Sequence, residues 1–287
     1  MNADFPSRVA ILYSGGTDST ASAALMAQQF DEIHLLNYRR HGFVGAEHSS
    51  YNAAKLAARF PDRKFVHWIY ETTPLAKWIA DHRRLHYVTR HGFMTLQNCG
   101  HCALANHMAT LAHCLRHDVH HLADGITRDW PFFPGHMDPV IERLRGLARR
   151  FDVTYHTPVL HCDIDRPMPY IAKILAPGKG MDPNPDADTT GRILLRLGLS
   201  ETENYKGTAT DRKAQARCWQ FMLPNIYIHW IFHAAQRPKA YEAAVTAYFD
   251  ELIDDATVLL QEHARSGAHD RIFAFLEQPP VPIAQQP

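Results

Sequence analysis

The chain has 287 residues, and its 30 Lys plus Arg balance 30 Asp plus Glu. A net charge of zero excludes a uniformly basic nucleic-acid coat and a polyanionic tail, although a local basic patch can hide in a zero sum. Hydrophobic residues at 46% and charged residues at 21% belong to a globular chain of one or two domains with a sizeable core, not to a disordered one.

In chain order, residues 9–13 form a short apolar run that ends in glycines and read as a first strand. Residues 19–30, rich in Ala, Leu, Met and Gln, read as a helix. Strand-like 32–37, helical 49–60 and strand-like 64–70 follow. Residues 73–86 read as one helix, with Thr72 or Thr73 as cap and Pro74 at its first position. A loop then carries Cys99 and Cys102 ahead of a helix over 103–117. Residues 119–123 read as a strand ending in Asp124-Gly125, 139–151 as a helix and 153–160 as a strand. Strands alternating with helices predict an α/β fold, a parallel sheet with helices on both faces and right-handed crossovers. Ligands in such sheets bind beyond the carboxyl ends of the strands.

Between Cys162 and Asp188 the composition shifts to Pro and Gly, which predicts a lid; Asp163 and Asp165 there are candidates for a capped loop, a base or Mg2+ ligands. Residues 189–199 read as a short helix. From Arg212 onward the pattern is mainly helical, with an aromatic stretch over 219–232 that suits a core or a homodimer interface, and an amphipathic stretch over 240–263. The Pro-rich end reads as a disordered tail. The organisation expected is a nucleotide-binding domain over 1–160, a lid with its short helix over 161–210, a helical region over 211–278 and a tail over 279–287.

The first residues lack a basic segment followed by a long apolar one, so no secretory signal is read. No apolar run reaches the roughly 18 residues of a membrane helix; the best, 226–235, is broken by His229 and His233. These features predict a cytoplasmic protein away from membranes. Five cysteines, two of them spaced as Cys99-x-x-Cys102, then predict thiol or metal chemistry rather than a disulfide framework. The twenty histidines are scattered and read mostly as surface or packing residues.

Ser14-Gly15-Gly16-Thr17-Asp18-Ser19 joins the first strand to the first helix. Two glycines allow a tight turn and close approach of backbone to a phosphate, and the amides and dipole of the helix start favour an anion. The three hydroxyls add donors, and Asp18 beside a phosphate suits a shared Mg2+. The Lys-Ser/Thr end of a Walker A loop is absent.

Ser14 to Ser19 resembles the SGGxDS signature of the PP-loop ATP pyrophosphatases, over roughly residues 8–160. The resemblance implies a HUP-type Rossmann-like fold and a reaction in which a substrate oxygen attacks the α-phosphate of ATP, pyrophosphate leaves and a nucleophile displaces the adenylated oxygen. It implies that Ser14, Gly15, Gly16, Thr17, Asp18 and Ser19 hold the pyrophosphate part of ATP. Asn37 would meet the nucleoside. Gly125 would close on the α-phosphate, with Asp124 and Thr127 beside it.

Cys99 and Cys102, at a helix start, suit a thiolate of lowered pKa, half of a Zn2+ or Fe–S site, a redox dithiol or a structural pair. The tRNA 2-thiouridylase branch carries a similar Cys-x-x-Cys before a helix. That match implies Cys102 as the catalytic cysteine, with Cys99 second and with Cys162 or Cys218 receiving the persulfide. Thr157-Pro158-Val159, Lys173, Leu197-Gly198-Leu199 and Thr208 resemble instead the 7-cyano-7-deazaguanine synthases, whose zinc cluster has only Cys218 to answer it here.

The function expected is ATP- and Mg2+-dependent adenylation followed by sulfur transfer to a nucleobase-like small molecule or to tRNA, with a sulfur-donor protein as partner. The alternatives are amide or nitrile formation with ammonia, and a non-catalytic adenine-nucleotide sensor. Arg39, Arg40, Arg128, Lys173 and Lys179 are the candidate phosphate or acidic-substrate contacts, and Trp130, Phe132 and Phe133 the candidate stacking surface.

Overall fold

The structure, a computed structural model, describes residues 7–128, 133–162, 188–218, 238–267 and 269–283. The elements in chain order are β1 (Arg8–Leu12), α1 (Thr17–Met26), β2 (Glu32–Arg39), β3 (Phe43–Val44), α2 (Ser50–Arg59), β4 (Lys64–Glu71), α3 (Thr73–Asp81), α4 (Arg84–His91) and α5 (Asn98–His117). They continue with β5 (His121–Ala123), α6 (Asp138–Arg149), β6 (Thr154–His156), α7 (Thr190–Arg196), α8 (Ala209–Ala214), β7 (Arg217–Cys218), α9 (Pro238–Ser266) and α10 (Asp270–Phe273).

Five strands form a sheet ordered β4-β2-β1-β5-β6, every pairing parallel, as the alternating pattern predicts. The chain steps outward from β1 through β2 to β4, then returns to the other side for β5 and β6. The switch point therefore lies between β1 and β5, and their carboxyl ends open a crevice there. β2 is buried at every residue but Arg39, because a parallel sheet is covered on both faces. Val9, Ile11, Ile33 and Leu35 pack toward α1 and α2. Ala10, Leu36 and Tyr38 pack toward α5, α6 and α9. As the crossover from β4 to β5, α5 runs against the strands, so its first turns reach the carboxyl edge of the sheet.

Several elements differ from the expectation, for tertiary reasons or, at Pro158, a local one. The helix expected over 73–86 breaks into α3 and α4. Asp255 of α9 binds His82 at 2.9 Å and Arg83 at 3.0 Å and pins the corner. The strand expected over 153–160 stops at His156. Pro158 offers no ladder donor, and turns follow, with the amide of Leu160 on the Thr157 carbonyl and that of Cys162 on the Val159 carbonyl. The region after Arg212 is not all helix. β7 pairs antiparallel with β3, Phe43 opposite Cys218. The Pro-rich end is not free as far as residue 283, since the Val281 amide donates to the His67 carbonyl at 2.7 Å on the edge of β4. The aromatic stretch 219–232 lies outside the described residues, as do Trp130, Phe132, Asp163, Asp165, Lys173 and Lys179. Among the described residues no helix is long and apolar enough to cross a membrane.

Candidate functional site

The Ser14–Ser19 loop leaves the central strand at the switch point. Gly15 sits at φ 81°, a left-handed conformation that favours glycine. Its carbonyl accepts from Asn52 Nδ2 at 2.7 Å. Ser14 Oγ accepts from the Gly16 amide at 3.3 Å and lies 3.1 Å from Ser19 Oγ, which donates to the Gly16 carbonyl at 3.2 Å. The loop is thus held by its own hydroxyls, with Ser14 exposed.

α1 begins at Thr17 with no side-chain cap from the Gly16 position. An orphan amide at a helix start attracts an anion, and here the anion is the Asp211 carboxylate. Thr17 donates to Asp211 Oδ1 from its amide at 3.2 Å and from its hydroxyl at 2.7 Å. Gln215 Nε2 donates to the same oxygen at 2.8 Å, and the Gly207 amide donates to Oδ2 at 2.7 Å. Asp18 faces the same segment. Its Oδ1 accepts from the Thr190 hydroxyl at 2.7 Å, and Lys206 Nζ stands 2.9 Å from its Oδ2.

Gly125 closes the other wall. A Cβ at this position would lie 2.5 Å from the Ser19 nitrogen, so two segments a hundred residues apart in sequence meet backbone to backbone. Asp124, buried just before it, accepts from the Ile126 amide at 3.2 Å and from the Tyr155 hydroxyl. Burial pushes its carboxyl up to about 7. His107 Nε2 lies 3.8 Å away, on a ring pushed down to about 4 by burial. Thr127 is buried and its carbonyl accepts from His136 Nδ1 at 2.7 Å. Asn37 is 2% exposed, and among the described residues its Nδ2 has no hydrogen-bond partner.

The raised Asp124 pKa fixes a sign. The unfolded chain ionises this carboxyl near pH 4 and the folded one near 7, so its contribution to stability falls as pH rises through that window. Asp124→Asn removes the slope. Between pH 5.5 and 8 the variant should gain about 2 kcal/mol on the wild type, read from urea midpoints at the two pH values. Equal slopes for the two proteins would refute the assignment.

The cysteines depart from expectation. α5 starts at Asn98, so Cys99 and Cys102 sit in its first turns and not in a preceding loop. Contacts to α9 draw this segment into the helix. Gln97 Nε2 donates to the Tyr241 hydroxyl at 2.7 Å, His101 Nε2 lies 2.7 Å from the Tyr248 hydroxyl, and Gly100 packs on the Phe249 ring. The Cys102 thiol is pushed up to about 11 by burial, with Arg40 pulling it down by less. Burial is the largest influence on this thiol and acts against the thiolate of lowered pKa expected at a helix start. Asn106 Nδ2 is 3.9 Å from Cys102 Sγ, and Cys218 is close enough to act on its charge. Cys162 lies buried on the α1 side of the sheet, away from this cluster. Among the described residues no three His, Cys, Asp or Glu side chains converge to hold a metal ion.

Arg39 pairs with Glu71 and Arg128 with Asp138, both on the surface. Lys206, Asp211, Gln215, Thr190 and Tyr155 were not singled out by sequence reasoning. One signal was present: Thr208 and Asp211 are spaced as a capping box, and Thr208 Oγ1 does accept from the Asp211 amide at 3.2 Å.

No protein-family model matches the chain, and no curated protein does. Among solved structures it is similar to the crystal structure of a predicted subunit of tRNA methyltransferase from Methanocaldococcus jannaschii. The identity is 21% over 53% of this chain and 69% of that one, with a TM-score of 0.34.

Proposed function

We propose that this chain is a PP-loop ATP pyrophosphatase that adenylates a carbonyl or enol oxygen of a nucleobase-like substrate, free or in tRNA. The observation that carries the reading is the anion cradle at the β1–β5 switch point. A Gly-rich loop and the α1 start hold a carboxylate through the Thr17 amide and hydroxyl, and Gly125 closes against Ser19. These donors suit ATP phosphates. The substrate oxygen attacks the α-phosphorus, the α–β anhydride bond breaks, and pyrophosphate leaves into donors already in place. Asp18 is the carboxylate suited to help hold Mg2+, and Lys206 adds a positive charge beside it.

In the second step a nucleophile attacks the activated carbon and AMP leaves. Cys102, with Cys218 near it, is the sulfur carrier in this reading. The raised thiol pKa favours a second reading, in which ammonia is the nucleophile and the cysteines are structural. AMP formation from ATP and Mg2+ separates the two, run with purines, pyrimidines or bulk tRNA in sulfide or ammonium and read by mass spectrometry. The first reading expects a product with sulfur in place of oxygen, and a loss of about 10³-fold in persulfide-driven turnover in Cys102→Ser. AMP with ammonium that is indifferent to Cys102→Ser selects the second. No AMP under any condition refutes both.

A further inference from the structure

The anion at the start of α1 belongs to the chain itself, although it comes from 194 residues away. Four donors converge on the two oxygens of Asp211: the Thr17 amide and hydroxyl, the Gly207 amide and the Gln215 amide group. That is the coordination a phosphate oxygen pair would take. The segment that delivers Asp211 lies directly over the loop. A Cβ on Gly15 would meet the Ala214 carbonyl at 2.5 Å, and one on Gly16 would meet the Gln215 side chain at 2.7 Å. Tyr205, Asp211 and Ala214 are its buried residues, whereas Ala209, Thr210, Arg212 and Lys213 are exposed. So few apolar anchors make a segment that opens at low cost.

We propose that residues 205–215 form a strap that completes the phosphate site, with Asp211 holding the place of a diphosphate ligand until that ligand displaces it. The proposal rests on the reading of Ser14–Ser19 as a pyrophosphate cradle. A diphosphate brings more negative charge and more acceptor oxygens than one carboxylate, so it competes for the same donors. The displaced Asp211 returns to water. The Gly207 amide, Gln215 and Lys206, which now stands on Asp18, then become ligand contacts supplied by the strap.

The test uses the full chain with inorganic pyrophosphate as probe. Asp211→Asn removes the competing charge and should bind pyrophosphate about tenfold more tightly by calorimetry. Adding Lys206→Gln to that variant should reverse the gain. A second measurement needs no variant. Trypsin cleavage after Arg212 and Lys213 in the wild type should slow when pyrophosphate, bridged between the loop and the strap, holds the strap down. Weaker or unchanged binding by a folded Asp211→Asn overturns the strap, as does pyrophosphate binding that speeds or leaves unchanged the cleavage at Arg212 and Lys213. Absence of pyrophosphate binding in both proteins overturns the cradle reading, and the strap falls with it.

Discussion

Acidification from pH 7 to about 4.5 is expected to unfold this protein, through its buried histidines. His67, His101 and His107 are at most 4% exposed, and burial pushes each ring down to about 4. Burial holds His113 well below the usual histidine range and lowers His34 too. The hydrogen bonds of His34 and His113 require neutral rings. His34 Nε2 donates to Glu32 at 3.0 Å, which leaves its Nδ1 to accept from His113 Nε2 at 2.8 Å. His113 Nδ1 then accepts from the Tyr70 hydroxyl at 2.7 Å. A second proton on either ring would set N–H against a donor.

The sign follows from linkage. An unfolded histidine takes its proton near pH 6.5 and a folded one only near 4, so the stability these groups contribute is complete above 6.5 and lost as pH falls toward 4. Each of the three is worth about 3 kcal/mol across the whole window, and together they match the total stability of an ordinary domain. Asp124 opposes them with about 3 to 4 kcal/mol in the same window, which is not enough. Circular dichroism and tryptophan fluorescence against pH should show one cooperative loss centred near pH 4.5. His67→Gln should shift that midpoint downward. A wild type still folded at pH 4 would show that the rings accept protons without opening the core.

The histidines also show where sequence reasoning ran short. Twenty scattered residues carry no period, so nothing in the pattern separates His34 and His113, paired across β2 and α5, from surface residues. The sheet was legible because each strand is a short apolar run between helix-forming segments, and local patterning alone sets its alternation. The contact between Ser19 and Gly125 was legible only through motif resemblance, since strand order decides which loops meet. The strap was not legible. Asp211 reads locally as a helix-capping acid, and its second role depends on a contact 194 residues away. The cysteine segment failed for a similar reason. Cys-Gly-His-Cys has weak helix propensity, and packing of Gly100 and His101 on α9 overrides it.

Gly125→Ala should cost about 3 kcal/mol of stability and about 10²-fold in the ATP turnover proposed above. The backbone at Gly125 is not in the left-handed region, so alanine adds no dihedral strain and the effect is a collision. The new methyl would meet the Ser19 nitrogen at 2.5 Å, Ser19 Cα at 2.6 Å and the Asp18 carbonyl carbon at 2.7 Å. All three are backbone atoms at the start of a buried helix and cannot swing aside as a side chain can. Relief requires the β5 turn and α1 to part by about 1 Å, and a displacement of that size at the crevice wall separates reacting groups. Gly16→Ala tests the logic from the other side. Its nearest neighbours are atoms of the flexible Gln215 side chain, so stability should change by less than at Gly125 while the strap is disturbed. Gly146→Ala calibrates both. Among the described residues nothing outside its own helix backbone lies within 4 Å of a Cβ there, and in the interior of α6 alanine should add about 0.5 to 1 kcal/mol. Urea melts of the three variants, with pyrophosphate binding measured on each, should rank them Gly146→Ala, Gly16→Ala, Gly125→Ala in falling stability. A Gly125→Ala protein that melts with the wild type and binds pyrophosphate equally well would mean that the two walls are not in contact.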